Sequence, residues 1–177
     1  MSRAVLGNPA YLGLLVLLVS LGACRQDDQS DESQDEGVVS EELTSAQREA
    51  REARARAMYE IATGTPPPEK IDRMRQVLRR FWDTSYAPLA LQQMAVYGSM
   101  PETSRPAMLL EEIRWFRRRF PQGPAVLNAI SILGGALHKR HHEAPDLPQT
   151  IAEEPFREEA TALWLEIAKA AVEQPDQ

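Results

Sequence analysis

The chain has 177 residues, room for one domain with attachments. Its net charge of −6 is unevenly placed: residues 25–43 hold eight acids against Arg25 alone, whereas 44–177 hold 18 acids and 18 bases. That neutral body has no basic surplus with which to bind nucleic acid. Cys24, the single cysteine, rules out an intrachain disulfide, a CxxC redox pair and a multi-cysteine zinc site.

Taken in chain order, the first feature is apolar. From Tyr11 to Leu21 only Gly13 and Ser20 interrupt a hydrophobic run. A helix crossing a bilayer needs about 20 apolar residues, so this run suits the h-region of a signal peptide, about 7–15 residues long. It ends in Leu21-Gly22-Ala23-Cys24 and turns polar at once. The four residues resemble the lipobox of bacterial lipoproteins, in which small side chains admit a peptidase and the thiol accepts lipid. The resemblance implies a signal peptide over 1–23, cleavage before Cys24, and diacylglycerol and N-acyl lipid on Cys24. No other cofactor is expected. Two or more acyl chains hold a protein stably on a membrane, where one binds only marginally. Arg25 stands where an enteric sorting rule would read aspartate as inner-membrane retention, so the resemblance points to the outer membrane, facing the periplasm.

Residues 24–40 carry the lipid cysteine and a nearly apolar-free acidic segment. Such a segment cannot bury enough surface to offset its ordering entropy, and like charges extend it, so it reads as a disordered tether.

Residues 41–177 read as all-α. Thr44 or Ser45 caps a first helix with Ala46, Ala50, Ala53, Ala57 and Ile61 on one stripe, Arg48–Glu52 and Glu52–Arg56 pairing outside, and Gly64 as terminator. A second helix places Ile71, Met74, Leu78 and Phe81 inward. A third, capped by Thr84 or Ser85, carries Leu91, Met94 and Ala95 and stops at Gly98. A fourth starts at Thr103 or Ser104, with Leu109, Leu110, Ile113 and Phe116 inward. A fifth runs from about Pro124 to Arg140. A sixth runs from about Pro155 to Glu173, burying Phe156, Ala160, Leu163, Trp164, Ile167 and Ala168. The segment 141–154 between them reads as a long loop, and no segment alternates with strand periodicity.

A weak repeat runs through these helices. Arg79-Arg80-Phe81 recurs as Arg118-Arg119-Phe120, an offset of 39 that also aligns Ile71 with Leu110, Met74 with Ile113, Ala90 with Ala129, Leu91 with Ile130 and Met94 with Leu133. Periods of this size mark stacked helical hairpins. Ile130-x-x-Leu133-Gly134-x-x-Leu137 resembles the first-helix signature of tetratricopeptide repeats, with Gly134 as the notch that admits a neighbouring helix. Ala107 falls at the small position of the second helix, and residues 81–90 resemble an inter-repeat junction of periplasmic tetratricopeptide lipoproteins. The offset exceeds that family's period of about 34, and Gly98 and Leu137 stand where an aromatic is usual. The alternative architecture is a compact six-helix bundle.

Three clusters invite a functional reading. His138, His141 and His142 surround Lys139 and Arg140; His138 and His142 could share a helix face at a spacing that holds zinc or copper, though cations also suit a helix C-terminus. Arg114, Arg117, Arg118 and Arg119 crowd one helix end and could meet an anionic partner surface or lipid headgroups, or form a solvated face partly paired with Glu111 and Glu112. Trp82, Tyr86 and Tyr97 flank the second hairpin and read as packing contacts. No Gly-x-Ser-x-Gly, His-Glu-x-x-His or phosphate-binding glycine loop is present, and no catalytic residue is assigned. The resulting expectation is a non-enzymatic, membrane-anchored helical-repeat scaffold or adaptor for an envelope protein. The rivals are a small metal-binding or enzymatic lipoprotein using the histidines, and a compact envelope-maintenance bundle.

Overall fold

In a computed structural model, residues 43–121 and 123–173 are described. The expectations for 1–23 and for Cys24 and the tether of 24–40 lie outside them. The described residues form six α-helices, α1 (Ser45–Gly64), α2 (Glu69–Arg80), α3 (Tyr86–Gly98), α4 (Pro106–Arg119), α5 (Pro124–Glu143) and α6 (Pro148–Glu173), with a 3-10 turn at Pro101–Thr103 and no strand. None of these helices is long and apolar enough to cross a membrane. The chain is all-α.

Local chemistry explains most boundaries. Thr44 accepts a hydrogen bond from the Gln47 amide while the Gln47 side chain accepts one from the Thr44 amide, a reciprocal capping box at the start of α1. Glu69 and Asp72 sit in the first turn of α2 and Arg79 and Arg80 in its last, both complementing the helix dipole. Proline opens α4 and α5, where its missing N–H costs nothing. Neither Thr84 nor Ser85 caps α3 through its side chain; Thr84 Oγ1 donates to the Phe81 carbonyl and Ser85 Oγ donates to Glu52. Thr103 and Ser104 do not start α4 either, because their hydroxyls bond to the Tyr97 carbonyl and to Glu153.

Packing follows chain order. α1 lies on α2, α2 on α3, α3 on α4, α4 on α5 and α5 on α6, and the next-but-one helices α1 and α3, α3 and α5, and α4 and α6 also pack together. α2 reaches α4 through ion pairs of Arg75 and Arg79 with Glu111 and Glu112, and Asp72 pairs with Arg105 just before α4. Both members of the apolar offset-39 pairs, Ile71 and Leu110, Met74 and Ile113, Ala90 and Ala129, Leu91 and Ile130, and Met94 and Leu133, are buried. Each fully buried Ile, Leu or Met among them contributes about 1.5–3 kcal/mol, so the repeated positions supply a large part of the core.

Three readings are corrected. The inner face of α1 is Ala55 and Ala62, with Met58 and Tyr59 beside them; Ala46, Ala50, Ala53 and Ala57 are exposed and Ile61 is 60 % exposed. Its face is set by polar ties to the α2–α3 turn: Arg51 to Asp83 at 2.7 Å, and Glu52 to Ser85 rather than to Arg48 or Arg56. The loop of 141–154 shrinks to four residues, since α5 continues to Glu143 and α6 begins at Pro148 with Pro155 inside it. Trp164 is 41 % exposed, its indole N–H donating to Ser131 Oγ at 3.1 Å across α5 and α6.

Candidate functional site

The α4 arginines do not act as one patch. Arg114 and Arg117 turn toward α6 and pair with Glu159 and, at 3.0 Å, with Glu166. The Arg117 hydrogen bond and charge hold the Glu166 carboxyl below its ordinary value. Arg119 turns the other way, its guanidinium 3.9 Å from the Trp115 ring centre and 5.8 Å from that of Trp82. Arg118 remains exposed. Between α4 and α6 lie two adjoining hollows of about 440 and 370 Å³. Arg114, Arg118 and Glu159 line both, and Phe156, Leu163 and Pro121 supply their apolar floor. The result is an open groove with a cationic rim, its acids already engaged.

Glu111 and Glu112 face the opposite helix. Glu112 is fully buried and receives Arg75 Nε at 2.7 Å, Arg79 Nε at 2.6 Å and Arg79 Nη2 at 2.8 Å, while Glu111 stands 3.4 Å from both guanidiniums. Arg79 also covers the other side of the contact to Trp115, 4.3 Å from its ring centre. A buried carboxylate needs this much compensation, because desolvation disfavours its charge. The arrangement ties α2 to α4.

A second polar node fastens the α5–α6 elbow. Arg140 meets Glu153 in a two-point pair at 2.9 and 3.0 Å, and also donates to the Ser99 carbonyl and to Ser104 Oγ. Ser104 donates to the same carboxylate at 2.5 Å. Burial alone would push the Glu153 carboxyl up; the hydrogen bonds from Arg140 and Ser104 and the Arg140 charge outweigh it and hold the carboxyl below its ordinary value. The sequence leaves no local sign of this node, because Arg140 sits among the histidines and Glu153 and Ser104 lie on other elements.

The histidines separate. His138 and His142 are exposed, and the continuation of α5 to Glu143 does place them one turn apart on a single helix. His141 is half-buried, with Nδ1 3.1 Å from Glu154 Oε2. This contact is an ion pair only when the ring is protonated; Nδ1 is buried and makes no hydrogen bond. Glu154 is itself held below its ordinary value, first by the Arg157 hydrogen bond, with the Arg157 and His141 charges adding to it. Among the described residues no three histidine, cysteine or acidic side chains converge as a metal site.

The aromatics pack. Tyr86 meets Tyr59 with ring centres 5.5 Å apart, Trp82 meets Phe120 at 6.0 Å, and Tyr97 carries the Lys70 ammonium 4.2 Å above its ring centre. The chain matches no family model, no curated protein and no solved structure.

Proposed function

We propose that this chain is a lipid-anchored protein of the bacterial envelope whose helices form a non-enzymatic scaffold for a protein partner, held on the outer membrane by acyl chains on Cys24. The observation that carries the scaffold half of this reading is the packing order. Each helix packs on its chain neighbours, and α1 and α3, α3 and α5, and α4 and α6 also meet, an order that fits stacked hairpins, whereas a bundle around one central core would bring distant helices together. α1 with α2, α3 with α4, and α5 with α6 make three hairpins, the usual minimum for such a stack. The buried offset-39 pairs fit the same tetratricopeptide-like reading. The anchoring half rests on the lipobox resemblance of Leu21-Gly22-Ala23-Cys24.

The surface best suited to a partner is the α4–α6 groove, where Arg118 is exposed beside an apolar floor. A partner segment presenting a carboxylate next to an apolar side chain fits both features. The test uses the full chain in a bacterial envelope. Labelled palmitate should enter the wild type and not Cys24→Ala. A photoreactive residue at position 114 should capture one discrete protein, and Arg118→Glu should abolish that capture while leaving lipid labelling intact. Labelling that persists in Cys24→Ala defeats the anchor; capture indifferent to Arg118→Glu defeats the groove.

A further inference from the structure

α6 is the last described helix, and its outward side is patterned. Four residues after the exposed Ile151, the positions Pro155, Glu158, Ala162, Leu165, Lys169 and Val172 are all exposed and follow one another in alternating steps of three and four. That spacing is the seam of a two-helix coiled coil, in which a strict heptad keeps one narrow stripe facing a partner helix. Leu165 is 53 % and Val172 79 % exposed, with only Glu158 and Lys169 charged on the stripe. A face evolved to meet water would carry its charges there. Here the flanks carry them: Glu159 and Glu166 on one side, each already engaged by an arginine of α4, and the small Thr161 and Ala168 on the other.

We propose that this stripe of α6 packs against the same stripe of a second copy of the chain, antiparallel, about a two-fold axis passing between Leu163 and Trp164. In that register Pro155 faces Val172 of the second copy, Ala162 faces Leu165 of the second copy, and Glu158 faces Lys169 of the second copy, each contact occurring twice. Charge complementarity selects this occupant and this direction. The two charges of the stripe meet with opposite sign only when the helices run antiparallel; a parallel pair would set Glu158 against Glu158 and Lys169 against Lys169. Neither residue is committed to an ion pair among the described residues, although the charge of Glu158 acts on its neighbour Arg157. The interface is isologous, as two-fold symmetry requires, and apolar contacts at Ala162 and Leu165 occupy its centre, where binding energy concentrates. It uses none of the arginines of the α4–α6 groove and shares with that groove only Ala162, which lines the larger hollow.

The experiment is sedimentation equilibrium of the full chain in mild detergent across the micromolar range, repeated at two detergent-to-protein ratios, with helix content followed by circular dichroism. The wild type should be a reversible dimer. Glu158→Lys and Lys169→Glu should each weaken dimerisation by about tenfold, since two exposed attractions become two repulsions. Glu158→Lys combined with Lys169→Glu should restore the wild-type affinity. All these positions are exposed, so helix content should not change. A monomeric wild type, a dimer indifferent to both single reversals, or a double variant that stays weak would each overturn the proposal.

Discussion

At the scale of single residues, the two glycines facing other helices carry opposite constraints. The repeat spacing makes Gly134 the notch, yet a Cβ built on it would stand 3.9 Å from the Ala160 Cβ, ordinary contact. Gly98 is the tighter position: a Cβ there would lie 2.9 Å from Cδ1 and 3.2 Å from Cγ of Leu109, which is itself fully buried and has little freedom to turn away. Gly134→Ala should therefore stabilise by roughly 0.5–1 kcal/mol through helix propensity. Gly98→Leu should cost about 1–3 kcal/mol by overpacking. Urea melts of the two variants check this, and the pair is informative because the signs differ. The glycine-leucine spacing was legible; which glycine lacks room was not, since that depends on Leu109 from the following helix. The α1 stripe failed for a related reason. Alanine recurs so densely in residues 46–57 that it marks two faces, and a methyl group carries too little transfer energy to choose between them. The choice falls to Arg51 and Glu52, whose partners Asp83 and Ser85 lie past α2.

At the scale of elements, the α5–α6 elbow is where sequence and structure diverge most. Pro148 and Pro155 both look like first helical residues, and the apolar pattern strengthens only after the second. The helix starts at the first because Thr150 closes the turn, its hydroxyl bonding to the Ala144 and Leu147 carbonyls at 2.7 Å each. Pro155 then leaves only the Ile151 carbonyl without its helical donor, on a residue 61 % exposed, where water can serve. The earlier start brings Glu153 under Arg140 and makes the elbow a polar joint. That joint predicts acid lability. Because the folded carboxyl of Glu153 lies below its ordinary value of 4.5, its contribution is complete above the unfolded value and is lost as pH falls through the folded one. Melting temperature should therefore drop as pH is lowered from 5 toward 3. Glu153→Gln should melt lower at pH 7 and show a shallower drop over that range. Parallel wild-type and variant profiles would place the acid-labile group elsewhere.

At the scale of the whole molecule, the all-α class and the buried face of α2, α3, α4 and α5 were legible because strong apolar residues recur there at helical steps and again at the offset of 39. The couplings between rows were not, because carboxylates and guanidiniums three dozen residues apart leave no local pattern; Glu112 reads like any charge on a solvated face until Arg75 and Arg79 arrive. The ladder of contacts carries a consequence for stability. In a stack, each hairpin is held mainly by its neighbours, so end elements open at lower cost than central ones. α1 is such an end. It buries only Ala55 and Ala62, where α3 and α4 bury residues as large as Leu91, Met94, Ile113 and Phe116. Its polar ties are partly solvated, with Arg51 and Asp83 side chains 31 % and 29 % exposed, and ion pairs of that kind contribute about 0–1 kcal/mol. Native-state hydrogen exchange of the full chain should show the amides of α1 opening at least about tenfold more readily than those of α3 and α5, an opening cheaper by about 1.4 kcal/mol or more. Arg51→Ala should widen the gap without changing exchange in α5, since the lost tie ends at the α2–α3 turn. Uniform protection from α1 through α5, unchanged by Arg51→Ala, would mean that the six helices open together around one shared core, as a bundle does.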